Sequence, residues 1–344
     1  MMSVEPLRIA MVAPPYYPIP PQGYGGIETV VAMLVDGLVD RGHDVTLIAS
    51  GESGTKAKTL PTFDEPQWPR LGQADPELLH AARVSGLLAD LAPDVVHDHT
   101  ASGPAFARER SIPMTITSHG PATGHWGEYL AAAGPDICLV AISQSQIDLS
   151  PELPWYGVVH NAIDVSSIPC VDEKEDYVVW LGRLSPDKGA GLAIDVARKA
   201  GRRIVLAGKC SEPDEKECFA KEVEPKLGPD VEYVEELSAE AKYDLLGRAS
   251  AFVFPLQWEE PFGMVLVEAM ACGTPVLSLD RGAVPEVVVD GETGFVRHQA
   301  EELVEALRHV DEIDPRACRR HVEENFAPAK MVEAYEKVYL HCVA

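Results

Sequence analysis

The 344-residue chain has no apolar run near the roughly 20 residues that cross a bilayer. A helical membrane span is therefore not expected. Its amino terminus, Met1-Met2-Ser3-Val4-Glu5, lacks the basic region and small-residue cleavage site of a secretory signal. Cysteine is sparse: seven residues, none in a C-x-x-C pair. That spacing speaks against zinc and against a disulfide framework, and the expected compartment is the reducing cytoplasm. Cations are scarce too. There are 29 Lys and Arg against 54 Asp and Glu, a formal net charge of -25 spread over both halves. Neither half offers a basic face, so nucleic acid is not an expected partner, nor is strong association with anionic membranes. No Walker A, G-x-S-x-G or H-E-x-x-H sequence is present, and no G-x-G-x-x-G follows the first strand-like run.

What is present is a folded composition, 46% hydrophobic and 24% charged. Strand-like apolar runs alternate with helical patterns from end to end, which predicts an α/β protein with parallel sheets. The chain is long enough for two domains. The expected architecture is two doubly wound, Rossmann-like domains facing across a cleft, spanning 1–165 and 166–327, with a C-terminal helix over 328–344 packing back on the first. Residues 51–74, polar and interrupted by proline, are expected to form a surface loop.

Three turns carry the residues suited to chemistry. Ala251-Phe252-Val253-Phe254 reads as a buried strand, followed by an acidic, aromatic turn and a helical run from Met264 to Cys272. Glu260 then sits at the carboxyl end of a strand, where open α/β sheets bind ligands, and Glu268 one to two turns into the next helix. The helix amino end offers N–H groups to an anion. Gly182-Arg183-Leu184-Ser185-Pro186-Asp187-Lys188-Gly189 puts two cations on another strand-to-helix turn. It is either an anion site or a solvated turn. In Gly23-Tyr24-Gly25-Gly26 the paired glycines let backbone approach a ligand, or simply make a flexible loop. His97-Asp98-His99 resembles a metal cluster but has too few ligands for one. His119, at the carboxyl end of a buried-type strand, either faces a ligand or holds a structural hydrogen bond.

Together these segments resemble the retaining glycosyltransferases of family four, which have the GT-B fold. Glu260 and Glu268 match the family's E-x7-E motif. Arg183 and Lys188 match its basic pair, and Gly25-Gly26-Ile27-Glu28 its amino-terminal glycine pair. Val95-Val96-His97-Asp98-His99, Thr117-Ser118-His119-Gly120 and Asn161-Ala162-Ile163-Asp164-Val165 are similar to three further landmarks, with Ala162 in place of the usual glycine.

The resemblance implies a nucleotide-diphosphate sugar as donor substrate, and neither cofactor nor metal. Arg183 and Lys188 would neutralise the diphosphate, assisted by Gly25 and Gly26 from the other domain. Glu268 would hold the ribose and Glu260 the migrating sugar, with the backbone of Phe262, Gly263, Met264 and Val265 behind it. His119 would touch the sugar, and backbone near Gly208 and Val234 would meet the base. Of these, His119, Glu260, Arg183 and Lys188 are the expected catalytic set. The first domain would bind the acceptor. Its acidic character points to a small soluble acceptor in antibiotic or other secondary metabolism, similar to the enzymes that decorate orthosomycins such as avilamycin. A lipid or polysaccharide acceptor, a GT-B sugar-nucleotide epimerase, and a silent sugar-nucleotide-binding protein are the rival readings.

Overall fold

The computed structural model describes residues 5–21, 23, 25–109 and 111–344. Gln22 and Tyr24 of the glycine loop lie outside the described residues. The chain forms two compact units, one of residues 1–162 with 328–344, the other of residues 163–327.

The first unit is built on strands β1 (Arg8–Val12), β2 (Asp44–Ser50), β3 (Lys58–Phe63), β4 (Val95–Asp98), β5 (Met114–Ser118), β6 (Cys138–Ala141) and β7 (Trp155–Val158). Their order is β3-β2-β1-β4-β5-β6-β7 with every neighbouring pair parallel. The inner strands are buried on both faces, which is why they read as continuous apolar runs. The expectation of a loop over 51–74 is corrected by β3. This edge strand has only Thr62 fully buried and carries Pro61, so it lacks an apolar run and tolerates a missing donor.

The second unit carries β8 (Glu175–Leu181), β9 (Arg203–Ala207), β10 (Val231–Val234), β11 (Ala249–Phe254), β12 (Val276–Leu279) and β13 (Gly294–Arg297). Its order is β10-β9-β8-β11-β12-β13, again all parallel. Each sheet reverses its strand order once, between β1 and β4 in the first unit and between β8 and β11 in the second. At such a switch point adjacent connections leave in opposite directions and open a crevice at the strands' carboxyl ends. The glycine loop follows β1 and His99 follows β4. The turn with Arg183 and Lys188 follows β8, and the turn with Glu260 follows β11.

The C-terminal helix, Pro328–Val343, belongs to the first unit. It lies against the helix Gly26–Asp40, where a Cβ on Gly37 would fall 2.5 Å from Val332 Cγ2. Its polar atoms are used as well. Tyr339 Oη is 2.7 Å from His97 Nδ1, and Tyr335 Oη is 2.8 Å from Thr117 Oγ1. Cys342 is joined to Cys138 by a single disulfide, where the cysteine spacing had argued only against a disulfide framework. The partners are 204 residues apart, so no local spacing marks them.

Glu336 ties this helix to the end of Gly26–Asp40. His43 Nδ1 accepts the Leu7 N–H, so its Nε2–H donates to Glu336 at 3.0 Å, and Arg41 Nε donates at 2.6 Å. Burial alone would raise the Glu336 carboxyl, but these donors outweigh it and hold it below the ordinary value of 4.5. The stabilisation is therefore full above pH 4.5 and fades as pH falls through the lowered value. Glu336→Gln is expected to cost about 1–3 kcal/mol at pH 7. Urea titrations should show that gap narrowing below pH 4, and a pH-independent gap would remove the ionised carboxylate as its source.

Candidate functional site

The two turns at the β8–β11 switch point are packed backbone to backbone. Trp180, fully buried in β8, donates its indole N–H to the Lys188 carbonyl at 3.0 Å. The Gln257 N–H donates to the Asp187 carbonyl at 2.8 Å. Gly189 adopts φ +70°, and a Cβ there would fall 2.3 Å from the Pro255 carbonyl oxygen. The glycine is what lets the basic turn approach the acidic one.

That approach brings Lys188 Nζ to 2.6 Å from Glu260 Oε2, with both side chains 12% exposed. Trp258 completes the cluster. Its Nε1–H donates to the same oxygen at 3.1 Å, and its ring lies 4.4 Å from the ammonium. The Glu260 backbone is gripped from β12's following loop: Ala283 N–H donates to the Glu260 carbonyl at 2.8 Å, and Gly282 N–H donates to the Glu259 carboxylate.

Arg183 is exposed and makes no ion pair among the described residues. In a protein of net charge -25 an unengaged guanidinium at a switch point is well placed for an anionic ligand. Its turn is braced by Gly208, where a Cβ would fall 1.8 Å from the Gly182 carbonyl oxygen. Tyr233 Oη donates to the Gly208 carbonyl at 2.9 Å, and Val234 ends β10 beside it.

Glu268 lies within the helix Met264–Ala271. Gly263 starts that helix with φ +83°, and Phe262 is buried against Phe326 at 5.7 Å between ring centroids. Met264 and Val265 are half-buried in its first turn, where the helix offers no acceptor for their N–H groups, while the Leu266 N–H donates to the Gly263 carbonyl at 2.9 Å. Lys242 Nζ is 2.6 Å from Glu268 Oε1. Burial acts to lower the Lys242 ammonium, yet the Glu268 carboxylate and nearby Tyr243 outweigh it and raise it above its ordinary value.

Gly25, Gly26 and His119 belong to the first unit. Gly25, at φ +150°, precedes the helix Gly26–Asp40, and a Cβ there would meet Pro21 at 2.8 Å and Glu28 Oε2 at 3.1 Å. Burial pushes the Glu28 carboxyl up to about 7. His119 Nε2 is 2.8 Å from His99 Nδ1. Burial pulls His119 down to about 4, and His97 and His99 well below their ordinary range. At neutral pH these rings are uncharged and suited to hydrogen bonding, not charge neutralisation. His97 is spent internally, on Tyr339 and Thr117. Among the described residues no group of three or more His, Cys, Asp and Glu could hold a metal ion.

Two turns of opposite charge meet at a switch point beside a helix amino end, an arrangement whose chemistry suits a phosphorylated polyol. The second unit, residues 167–325, matches the model of glycosyl transferases group 1, and residues 24–166 match glycosyltransferase family 4. The chain carries the two domains of a GT-B glycosyltransferase. Relatives of this glycosyltransferase include the glycogen synthase of Mycobacterium tuberculosis (strain ATCC 25618 / H37Rv), 27% identical over 97% of this chain and 94% of that protein. The structure of AviGT4, a glycosyltransferase involved in avilamycin A biosynthesis, is 27% identical with a TM-score of 0.72, covering 98% of both chains. Anabaena HepE in complex with UDP-glucose shares the fold, with a TM-score of 0.73 at 17% identity over 97% of this chain and 100% of that one.

Three residues at the candidate site carry no signal in motif spacing: Trp258, Lys242 and Gly282. Lys242 and Gly282 are placed by tertiary contact, on Glu268 and Glu260, and Trp258 by a local bond to Glu260 two residues on.

Proposed function

We propose that this glycosyltransferase moves a sugar from a nucleoside-diphosphate donor to a small soluble acceptor, with retention of configuration. The observation that carries the reading is the Lys188–Glu260 pair at the β8–β11 switch point, with Arg183 of the same turn in no ion pair among the described residues. Arg183 and Lys188 meet the diphosphate and stabilise the charge that develops as it leaves. Glu268 holds the ribose, and Glu260 a hydroxyl of the sugar. The first turn of Met264–Ala271 supports the phosphate, and backbone at Gly208 and Val234 borders the base. With fixed cations and helix N–H groups in these roles, no metal is required. No carboxylate is assigned as a covalent nucleophile. The acceptor attacks the face the diphosphate leaves, and a phosphate oxygen takes the proton.

The first unit is the acceptor domain, with Gly25, Gly26 and His119 as its candidate site residues. Similarity to AviGT4 over nearly the whole chain, and the chain's acidity, support an acceptor in antibiotic or other secondary metabolism. The glycogen synthase relative favours a second reading, a glucan acceptor.

A thermal-shift panel tests the donor site. The matching diphosphate among UDP, GDP, ADP and TDP should raise apparent stability by about 2.7 kcal/mol at a hundred times its Kd. Failure of all four at millimolar concentration removes the site. With the donor known, product analysis separates the acceptors. Epimerised donor in the absence of acceptor would identify an epimerase, and salt-sensitive binding to anionic vesicles would move the acceptor to the membrane.

A further inference from the structure

We infer that Trp258 is a positioning residue that fixes which oxygen of Glu260 meets the donor sugar; this rests on the donor site proposed above. The geometry is specific. Glu260 Oε2 receives two donors, Lys188 Nζ at 2.6 Å and Trp258 Nε1–H at 3.1 Å. The same indole presents its face to the Lys188 ammonium at 4.4 Å, within cation–π range. A single side chain thus touches both members of the ion pair, one through its edge and one through its face. Phe254, 5.8 Å from the ammonium, extends the aromatic wall.

Two consequences follow for the reaction. With Oε2 doubly occupied, Oε1 is the oxygen left to accept a hydrogen bond from the sugar, so the carboxylate cannot swap its two oxygens between roles. An ammonium has three N–H donors. When diphosphate arrives, Lys188 turns toward it and its bond to Oε2 lengthens. The indole N–H then remains as the donor that keeps Glu260 in place. The tryptophan therefore lets one lysine serve the phosphate without releasing the sugar-binding carboxylate. Isolated Lys–Glu pairs, with long flexible stems, hold no such orientation.

The test is a double-mutant cycle with Trp258→Phe, Glu260→Ala and both, run on the full chain with the diphosphate identified by the panel and its sugar conjugate. Phenylalanine keeps an aromatic face for Lys188 and loses the N–H. We expect Trp258→Phe to lower kcat about tenfold with the sugar donor, while its affinity for the bare diphosphate stays within twofold. In the Glu260→Ala background the same change should cost less than twofold, because the indole acts through that carboxylate. Trp258→His, which restores a ring N–H, should recover part of kcat. Equal losses in both backgrounds, or parallel falls in diphosphate affinity, kcat and melting temperature, would make Trp258 merely structural and overturn the inference. A wild-type kcat for Trp258→Phe would do the same. If the unmodified protein binds none of the four diphosphates, the donor reading fails first and this inference with it; normal wild-type turnover with an additive cycle sinks the inference alone.

Discussion

Lys188→Ala is expected to lower kcat by about a hundred- to a thousandfold, the scale seen when one preorganised donor to a developing charge is removed. Two losses combine. The leaving diphosphate loses a cation held in a site only 12% exposed, where a charge counts for more than in water. Glu260 also loses its ion-pair partner and keeps only the Trp258 N–H on Oε2. Removing one member of a sequestered pair leaves the other uncompensated. Repulsion between an unpaired Glu260 and the incoming diphosphate should raise donor KM as well. Lys188→Arg would keep the charge but not the geometry, since a longer, forked guanidinium does not fit the compact ammonium's place between the Glu260 oxygen and the Trp258 ring. Its kcat should lie between the other two. Steady-state kinetics with saturating acceptor read both constants, and unchanged kcat and KM in Lys188→Ala would take Lys188 out of the site.

The fold was legible where burial on both faces makes strands read as unbroken apolar runs. β8, β11 and β12 show this, and the helix between the last two, expected over Met264 to Cys272, runs Met264–Ala271 and is followed by Gly273 at φ +77°. β3 was not legible because an edge strand needs little apolar character, and Lys58–Phe63 has little. At the candidate site, local pattern located the turns, since a strand, a turn and a helix start can be read within about ten residues. It did not reveal the partners. Lys188 and Glu260 are 72 residues apart, and Glu268 and Lys242 are 26 apart. Their pairing depends on the strand order β9-β8-β11-β12, which no local window contains. His97 shows the converse. Its sequence neighbourhood suggests a ligand, yet tertiary contact with Tyr339 uses the ring for structure.

Gly282→Ala should be strongly damaging and should act directly on the turn that carries Glu260. Gly282 has φ +56°, and an added Cβ would fall 2.2 Å from the Glu260 carbonyl oxygen and 2.3 Å from its nitrogen. Both are backbone atoms, so no side chain can rotate away. The left-handed backbone alone costs alanine about 1–2 kcal/mol. Relief of the clash requires moving either the loop after β12 or the turn that carries Glu260. Moving the loop breaks the Ala283–Glu260 hydrogen bond at 2.8 Å and the bond from Gly282 to Glu259. Moving the turn draws Glu260 away from Lys188 and Trp258. Either way the expected result is a loss of about 2–4 kcal/mol together with a fall in kcat of at least about a hundredfold, since misplacement by about 1 Å can cost that much. Gly291→Ala supplies the control. Gly291 is also left-handed, at φ +77°, but its Cβ would meet nothing within 4 Å. It should show the backbone cost alone, about 1–2 kcal/mol by denaturant titration, with kcat unchanged. Equal stability losses and wild-type kcat in both variants would mean that the close approach of Gly282 does not set the position of Glu260.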